Sequence, residues 1–195
     1  MGGPAAISAL QAAVVVVGGL ALVAAGTAVA TYGPDYCSAA VGLSPGTNAR
    51  WHIPRPPFFG QITLGAAAYR LDAGIAPPPG SAVSAPARGW VQSIGKLSPL
   101  DDAGHAIARR FGGNTAYNSV NGNLFPQNRS INRSGMRVVE NVIAGLHRTG
   151  FDTCSVVVPL YSPTALRPNA VVYQVFVRRG VSSFVAAPPV LLPNP

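Results

Sequence analysis

The sequence feature that most constrains this chain is an uncharged stretch at residues 4–31, which is poorly suited to the surface of a soluble domain. About 20 consecutive apolar residues are enough to span a bilayer, and this stretch is longer. It ends in Ala28-Val29-Ala30, a small-x-small pattern typical of a signal-peptidase site, which favours cleavage before Thr31. An uncleaved membrane anchor and a translocation segment stay open as alternatives. All three predict export, so we expect a secreted, extracellular protein whose contact with membrane is confined to residues 4–31.

The remaining chain divides by composition into three parts. Residues 32–87 are rich in Pro, Gly, Ala and Ser, which predicts an arm or linker, with residues 61–71 as a strand or short helix. Residues 88–185 form the predicted folded domain, because a chain of 195 residues with 48% apolar content can bury one ordinary core. Residues 186–195 are Pro-rich and are predicted to be a loose tail.

Within the folded domain, apolar spacing predicts four elements. The alternation of residues 89–94 favours a strand, which would be the first strand of a hairpin. Apolar residues recur at three and four positions across residues 134–146, which indicates a helix with one buried stripe that ends before Gly150. Residues 154–161 and 171–177 are rich in β-branched side chains and are predicted to pair as antiparallel strands.

The charge of the chain is strongly positive and unevenly distributed. There are 14 basic and six acidic residues, and residues 86–195 hold 11 of the former and four of the latter, a net charge of +7. Such a surface suits a phosphate-bearing partner, because Lys and Arg release condensed counterions when they neutralise a phosphate backbone. A charge that serves solubility alone is the alternative interpretation.

The two cysteines, Cys37 and Cys154, both belong to the exported part. In an oxidising compartment they are predicted to form one bridge between the N-terminal arm and the C-terminal strands. A zinc cluster is not expected, because the sequence has no Cys-x-x-Cys motif.

Three polar residues are candidates for chemistry. His105 follows Gly104, and a glycine permits a sharply turned backbone on which the imidazole faces a cleft and accepts a proton near neutral pH. Asn132 begins the predicted helix and Glu140 lies eight residues later, so both can border one cleft. Their oxygen atoms are ligands that a hard cation such as Mg²⁺ prefers. Taken singly, Asn132 also suits helix capping and Glu140 a solvated helix face.

In order and spacing, these residues resemble the DNA/RNA non-specific endonuclease family, whose members are ββα-metal or His-Me finger nucleases. The family pattern is Asp-x-Gly-His, then Asn-x-x-Pro-Gln, then Leu/Ile-Asn with Glu eight residues later. The matching residues are Asp102, Gly104 and His105, then Asn123, Pro126 and Gln127, and finally Ile131, Asn132 and Glu140. The resemblance covers about residues 88–180 and is greatest to the subset found in exported bacterial toxins.

The resemblance implies an α+β fold: a ββα-metal (His-Me finger) core with antiparallel strands and one main catalytic helix. It implies that His105 is the general base, that Asn132 is the direct metal ligand, and that Glu140 anchors metal-bound water. Asn123 would support the site by hydrogen bonds. Better-known members carry Arg where this chain has Ala103, so another cation is needed, and Arg109, Arg110 and Arg133 are the candidates.

The function implied is a secreted endonuclease that uses Mg²⁺, or another divalent cation such as Mn²⁺, to hydrolyse phosphodiester bonds of DNA and/or RNA without reading sequence. The residues expected to contact the phosphate backbone are Arg109, Arg110, Arg129, Arg133 and Arg137. Two alternatives stay open. One is an exported basic nucleic-acid-binding protein without turnover. The other is the same nuclease used as an antibacterial toxin domain, with an immunity protein as its partner.

Overall fold

Two antiparallel sheets and two helices make up the computed structural model, which describes residues 48–51, 66–95, 101–117, 122–161 and 165–195. In chain order the elements are β1 (Asn48–Trp51), β2 (Ala66–Leu71), α1 (Ala85–Ile94), β3 (Asp101–His105), a 3₁₀ turn (Arg109–Phe111), β4 (Leu124–Asn128), a π-helical turn (Ile131–Met136), α2 (Arg137–Arg148), β5 (Asp152–Leu160), β6 (Ala170–Arg178), β7 (Val185–Ala186) and β8 (Val190–Pro193). Among these residues the large sheet has the order β1-β2-β5-β6, and β7 and β8 both pair with the far side of β6. The fold is therefore α+β with antiparallel strands, as predicted.

The centre of the large sheet is the strand pair β5 and β6. Their antiparallel register places Val157 opposite Tyr173, which confirms the pairing predicted from the two β-branched runs. Both strands are buried along most of their length, because side chains on each of their faces are covered. Such burial suits continuous apolar runs better than strict alternation.

The arm predicted for residues 32–87 contributes a strand to this same sheet. β2 lies between β1 and β5, with Ala68 paired to both Ala49 and Val156. Of the two structures considered for residues 61–71, the strand is therefore correct for residues 66–71. Ala67, Ala68, Tyr69 and Leu71 are buried, so this part of the chain belongs to the core.

The strand predicted for residues 89–94 is wrong, because this segment belongs to helix α1. The Ser84 side chain accepts a hydrogen bond from the Ala87 N–H at 3.3 Å, and Pro86 lies in the first turn, where its missing N–H costs nothing. Ala87 and Val91 are four residues apart and both are buried. These start signals precede residue 88, in the segment interpreted as an arm, and the alternation of residues 89–94 alone did not reveal a helical face.

A hairpin of β3 and β4, followed by α2, forms the other half of the molecule. The register pairs Asp101 with Asn128 and His105 with Leu124, which gives the strand-strand-helix order expected of a ββα core. The helix predicted from residue 134 begins at Ile131 as a π-helical turn and continues as α2 to Arg148. Gly150, with φ of 85°, follows α2 in the left-handed conformation that often ends a helix.

The apolar stripe of α2 packs against one face of the large sheet. Met136, Val139, Ile143 and Leu146 are buried there with the aromatic side chains of Tyr69, Phe111, Phe125 and Tyr173. The same cluster includes Ile107, from the segment that follows β3. This single core holds the hairpin, the helix and the sheet together.

The loose tail predicted for residues 186–195 is also wrong. β8 pairs with β6, with Val190 opposite Tyr173, and Asn194 is buried. The Asn194 side chain donates to the carbonyl oxygens of Pro126 and Pro168 and accepts from the Asn128 N–H at 2.6 Å. The Pro-rich composition of residues 186–195 does not indicate this strand, because the bonds that hold the segment in place come from the single buried side chain of Asn194.

Two predictions concern residues outside the described parts of the chain, namely the apolar segment 4–31 and the bridge to Cys37. Cys154 itself is buried in β5. In the parts that the structure describes, no helix has the length and apolar character to cross a membrane.

Candidate active site

His105 is the last residue of β3, where the hairpin meets the cleft above α2. Its ring hydrogen-bonds with the backbone of Ser81, while its Nε2 atom is buried and has no hydrogen-bond partner among the described residues. Burial lowers the pKa of His105 below its usual value, the Ser81 bond opposes this, and the charge of Arg109 lowers it further. The ring is therefore neutral at neutral pH and can accept a proton there.

Gly104 does not provide the sharp turn that we expected before His105. It lies in a regular strand opposite Phe125, and it is absent from the described glycines with positive φ. Its role is to make room: a Cβ at this position would lie 2.2 Å from Oε1 and 2.8 Å from Cβ of Gln127. The glycine of the first motif and the glutamine of the second are thus in contact across the hairpin.

Asn123 fixes the segment that follows His105. Its side chain is fully buried, accepts from the Ile107 N–H at 2.8 Å and donates to the Ile107 carbonyl at 2.9 Å. It also donates to the carbonyl of Asn114 at 3.0 Å. Asn123 therefore lies behind the site and does not border either cavity described below.

The π-helical turn after β4 places Asn132 opposite His105. The Asn128 side chain accepts from the Ser130 N–H at 2.9 Å, which starts this turn directly after the strand. Asn132 Nδ2 donates to Asp102 Oδ2 at 3.3 Å, so the amide oxygen of Asn132 remains available to a ligand. Such wide turns occur often at functional sites, because they change the direction of side chains within a helix.

Asp102 also binds two arginines. Arg133 donates to its carboxylate from Nε at 2.8 Å and from a second nitrogen at 3.2 Å, and Arg129 lies at 3.4 Å. Burial alone would raise the pKa of Asp102, but the bonds from Arg133 and Asn132 and the charges of Arg133 and Arg129 outweigh it and lower the pKa. The carboxylate is therefore ionised and orders this side of the site.

Two cavities meet at His105 and Asn132. The larger has a volume of about 930 Å³, and its lining residues are Pro77, Pro78, Pro79, Gly80, His105, Ala108, Arg109, Arg110, Asn132, Arg133, Arg137 and Glu140. The smaller has a volume of about 300 Å³, and its lining residues are Val83, Arg88, Gln92, Asp102, Ala103, His105, Arg129, Asn132 and Arg133. The structure thus brings His105, Asn132 and Glu140 to one cleft, as the motif spacing predicted.

Glu140 is the acidic residue of the large cavity. Burial raises its pKa from 4.5 to about 7, and the charges of Arg110 and Arg137 oppose this rise. An opposite charge nearby favours the charged form of a carboxylate, so a cation bound in this cavity would stabilise ionised Glu140.

All five arginines predicted to contact phosphate border these cavities. Arg109, Arg110 and Arg137 line the large one, Arg129 lines the small one, and Arg133 lines both. Arg110 also donates to Asn141 Oδ1 at 2.6 Å.

The sequence interpretation missed Arg88 and Gln92, which line the small cavity from α1. Gln92 was missed because residues 89–94 were predicted to be a strand, and Arg88 because it lies where the predicted arm meets the folded domain. Recognising Ser84 and Pro86 as a helix start would have placed Arg88 and Gln92 one turn apart on one face.

A comparison with protein-family models finds a match to the family described as DNA/RNA non-specific endonuclease, over residues 76–177. This range covers just over half of the chain and includes every motif residue of the site. No curated protein matches the chain.

Solved structures similar to this chain include NucA from Streptococcus agalactiae, determined with no metal bound, and Sda1 nuclease with a bound zinc ion. NucA is 21% identical, has a TM-score of 0.50, and the match covers 80% of this chain and 73% of NucA. Sda1 is 17% identical with the same score, over 76% of this chain and 74% of Sda1. A third, described as an extracellular nuclease, is 14% identical, also scores 0.50, and is matched over 79% of this chain and 89% of its own. At these identities the likeness shows a common fold.

Proposed function

The chain belongs to the DNA/RNA non-specific endonuclease family and is a nuclease, and from this premise we propose that His105 is its general base and Asn132 its metal ligand. The substrate is the phosphodiester backbone of DNA and/or RNA. The observation that carries the proposal is that His105 lines the same cleft as Asn132 and Glu140, while its Nε2 has no hydrogen-bond partner among the described residues.

The bond between the His105 ring and the backbone of Ser81 supports this role. It occupies the other ring nitrogen and so leaves the lone pair of Nε2 free for a proton. Water that loses its proton to Nε2 attacks phosphorus, and the oxygen on the far side leaves. Since the base form is the active one, the cleavage rate should rise with pH through the depressed pKa of His105.

A divalent cation fits the donor set of the large cavity. The described residues contain no group of three His, Cys, Asp or Glu side chains able to hold a metal, so a tight all-protein site is not expected there. Asn132 and Glu140 offer the amide and carboxylate oxygens that suit Mg²⁺ or Mn²⁺, ions that keep several waters when few protein groups bind them. When bound, the ion neutralises charge that develops on the phosphate and the leaving oxygen.

We assign to Arg133 the cationic role that Ala103 cannot fill. Arg133 lines both cavities, and its bidentate bond to Asp102 holds it next to Ala103. Arg109 and Arg110 line the large cavity alone and are better placed to track the phosphate backbone there. Asp102 and Asn123 are positioning residues, since they hold Arg133, Asn132 and the segment after His105.

Cleavage without sequence reading agrees with the lining of the two cavities. Among the described residues that border them there is no Phe, Tyr or Trp side chain for base stacking, and arginine is the most frequent type. Arginine binds phosphate in DNA and RNA alike.

We propose export as the location, on the basis of the apolar segment 4–31 with its Ala28-Val29-Ala30 end. Use as a toxin domain, with an immunity protein as partner, stays a hypothesis about the same chemistry.

The experiment that tests the site compares His105→Ala with the parental chain on plasmid DNA and structured RNA, with Mg²⁺ and with excess chelator. His105→Ala should lower the cleavage rate at least about 10²-fold and leave DNA affinity nearly unchanged, because a general base acts on water and does not hold substrate. Asn132→Ala should also lose cleavage, but raised Mg²⁺ should restore part of it. Excess chelator should abolish cleavage by the parental chain.

The matched control is His147→Gln. His147 bonds through Nε2 to the carbonyl oxygens of Asp72 and Ile75 and lines neither cavity, so this variant should cut at the parental rate. Parental cleavage by His105→Ala would contradict the assignment of the base. A parental chain that binds DNA without cutting it would instead support the nucleic-acid-binding alternative.

A further inference from the structure

The small cavity contains more positive charge than the proposed chemistry uses. Three arginines line it, Arg88, Arg129 and Arg133, against one carboxylate, Asp102. Asp102 forms ion pairs with Arg129 and Arg133, whereas Arg88 forms no ion pair with any acidic residue in the described ranges. The cavity therefore has a cation on its α1 wall that no described protein group neutralises.

Helix α1 holds this wall in a fixed relation to His105. Its residues Ala87 and Val91 are buried and pack with Leu124, which pairs with His105 across the hairpin. Arg88 and Gln92 lie one turn apart on the exposed face of the same helix. A guanidinium and an amide at this spacing offer several N–H donors along one direction.

The two cavities share only His105, Asn132 and Arg133, and their other walls differ. Arg88, Gln92 and Val83 come from α1 and the residues before it, whereas the large cavity is closed by Pro77–Gly80, the 3₁₀ turn and α2. Because the two cavities meet at these three residues, a nucleic-acid strand whose scissile phosphate lies at His105 can occupy both of them.

On the basis of the proposed function, we propose that the small cavity binds the nucleotides on one side of the scissile phosphate and that Arg88 and Gln92 bind a phosphodiester of that flank. The opposite flank lies in the large cavity, where Arg109, Arg110 and Arg137 meet its phosphates. Each flank of the substrate thus has its own set of arginines.

The test uses short single-stranded DNA oligonucleotides with one ordinary phosphodiester as the cleavable linkage, charged but cleavage-resistant phosphorothioates on one side of it, and uncharged methylphosphonates on the other. Arg88→Ala should raise KM several-fold on substrates whose phosphates remain charged on the flank in the small cavity. The same variant should match the parental chain when that flank is neutral. Arg137→Ala should show the opposite dependence, and the salt slope of binding should fall by about one for Arg88→Ala.

The control variant is Arg148→Ala, which removes an equal charge from an exposed position outside both cavities. Its effect on KM should be the same whichever flank of the oligonucleotide is neutral. A penalty for Arg88→Ala that equals that of Arg148→Ala, or that is the same whichever flank is neutral, would overturn the proposal. Thermal unfolding of each variant establishes that it is folded.

Binding of the same oligonucleotides in chelator, followed by fluorescence anisotropy, separates this inference from the proposed function. If the parental chain cuts nothing, the proposed function fails, and the flank dependence of affinity still decides the inference. The inference is supported if Arg88→Ala loses affinity only for oligonucleotides that are charged on one particular flank. It is rejected if the loss is the same whichever flank is charged.

Discussion

The large sheet and the β3–β4 hairpin are stabilised by different kinds of contact. The central strands of the large sheet, β5 and β6, read DTCSVVVPL and AVVYQVFVR, and β-branched side chains occupy more than half of their buried positions. The hairpin strands read DDAGH and LFPQN, which contain few residues that favour strands. The hairpin nevertheless has a regular register, so something other than strand propensity defines it.

Buried polar side chains define the hairpin. Arg167 makes a bidentate bond to Asp101 at 2.7 and 2.8 Å. Asn194 donates to the Pro126 carbonyl and accepts from the Asn128 N–H in the second half of β4, and Asn123 holds the segment after β3. Such bonds require one particular residue at one position, whereas an apolar position accepts several types. The comparison therefore predicts that single polar substitutions damage the hairpin far more than the large sheet.

The largest effect is expected from Arg167→Ala. The Asp101 side chain is 1% exposed, so Arg167→Ala removes the bidentate partner of a buried carboxylate, and breaking a buried pair in this way costs about 3–5 kcal/mol of the free energy of unfolding. The matched control in the large sheet is Arg178→Ala, whose ion pair with Asp152 is 25% and 13% exposed, so that solvent screens the remaining charge more and the loss should be smaller. Urea unfolding of both variants measures the difference. Equal losses would show that the hairpin does not depend on this pair.

A smaller loss is expected from Asn123→Ala. The change leaves the N–H and carbonyl groups of Ile107 without their side-chain partner, at about 1–3 kcal/mol for each buried group that stays unsatisfied. Because the segment after His105 loosens, the cleavage rate of the folded fraction should fall as well.

Gln174→Ala is the control for this prediction. Gln174 is also buried, in β6, and donates to the Ala187 carbonyl. Its replacement should lower stability without lowering the cleavage rate of the folded protein. If both variants keep full activity, Asn123 does not position the site.

This difference also explains what the sequence predicted. Strands β5 and β6 were found because each is a run rich in β-branched side chains, and helix α2 was found because its apolar residues recur at helical spacing. Helix α1 was missed because its start signals, Ser84 and Pro86, lie in the segment interpreted as an arm. The β8 strand was missed because nothing local to a Pro-rich segment shows that Asn194 bonds to Pro126 and Pro168.

For the site, the motif residues His105, Asn132 and Glu140 were predicted together, and the structure brings them to one cleft. Their order in the chain was sufficient for this. The bond of Asp102 to Arg133 and the position of Arg88 could not be predicted, since they depend on how separate elements pack. The shape of the backbone at Gly104 was predicted wrongly, because a glycine needed for close approach and a glycine needed for a turn look the same in a sequence.

Glu140 extends the comparison to the cleft that is lined by His105 of the hairpin and by helix α2. Its pKa is raised from 4.5 to about 7, so the folded chain binds this proton more tightly than the unfolded chain and loses stability as pH rises through that window. Without divalent cation, Glu140→Gln should therefore be more stable than the parental chain at pH 8, by up to about 2–3 kcal/mol. The difference should shrink towards pH 5, as measured by urea unfolding in chelator. A variant less stable at pH 8 would have the wrong sign.

The smallest effects are expected at two glycines and have opposite signs. Gly104→Ala forces a Cβ within 2.8 Å of the Gln127 Cβ in the hairpin, and crowding of this kind costs about 1–3 kcal/mol because neither strand can move without disturbing its register. Gly145 lies within α2, where an added Cβ meets nothing within 4 Å, so Gly145→Ala should stabilise the chain by about 0.5–1 kcal/mol. A denaturation midpoint below the parental value for Gly104→Ala and above it for Gly145→Ala would confirm that Gly104 is needed for the close contact with Gln127. If Gly104→Ala were as stable as the parental chain, Gln127 would not pack on β3 as described, and the contact between the two motifs would have no structural role.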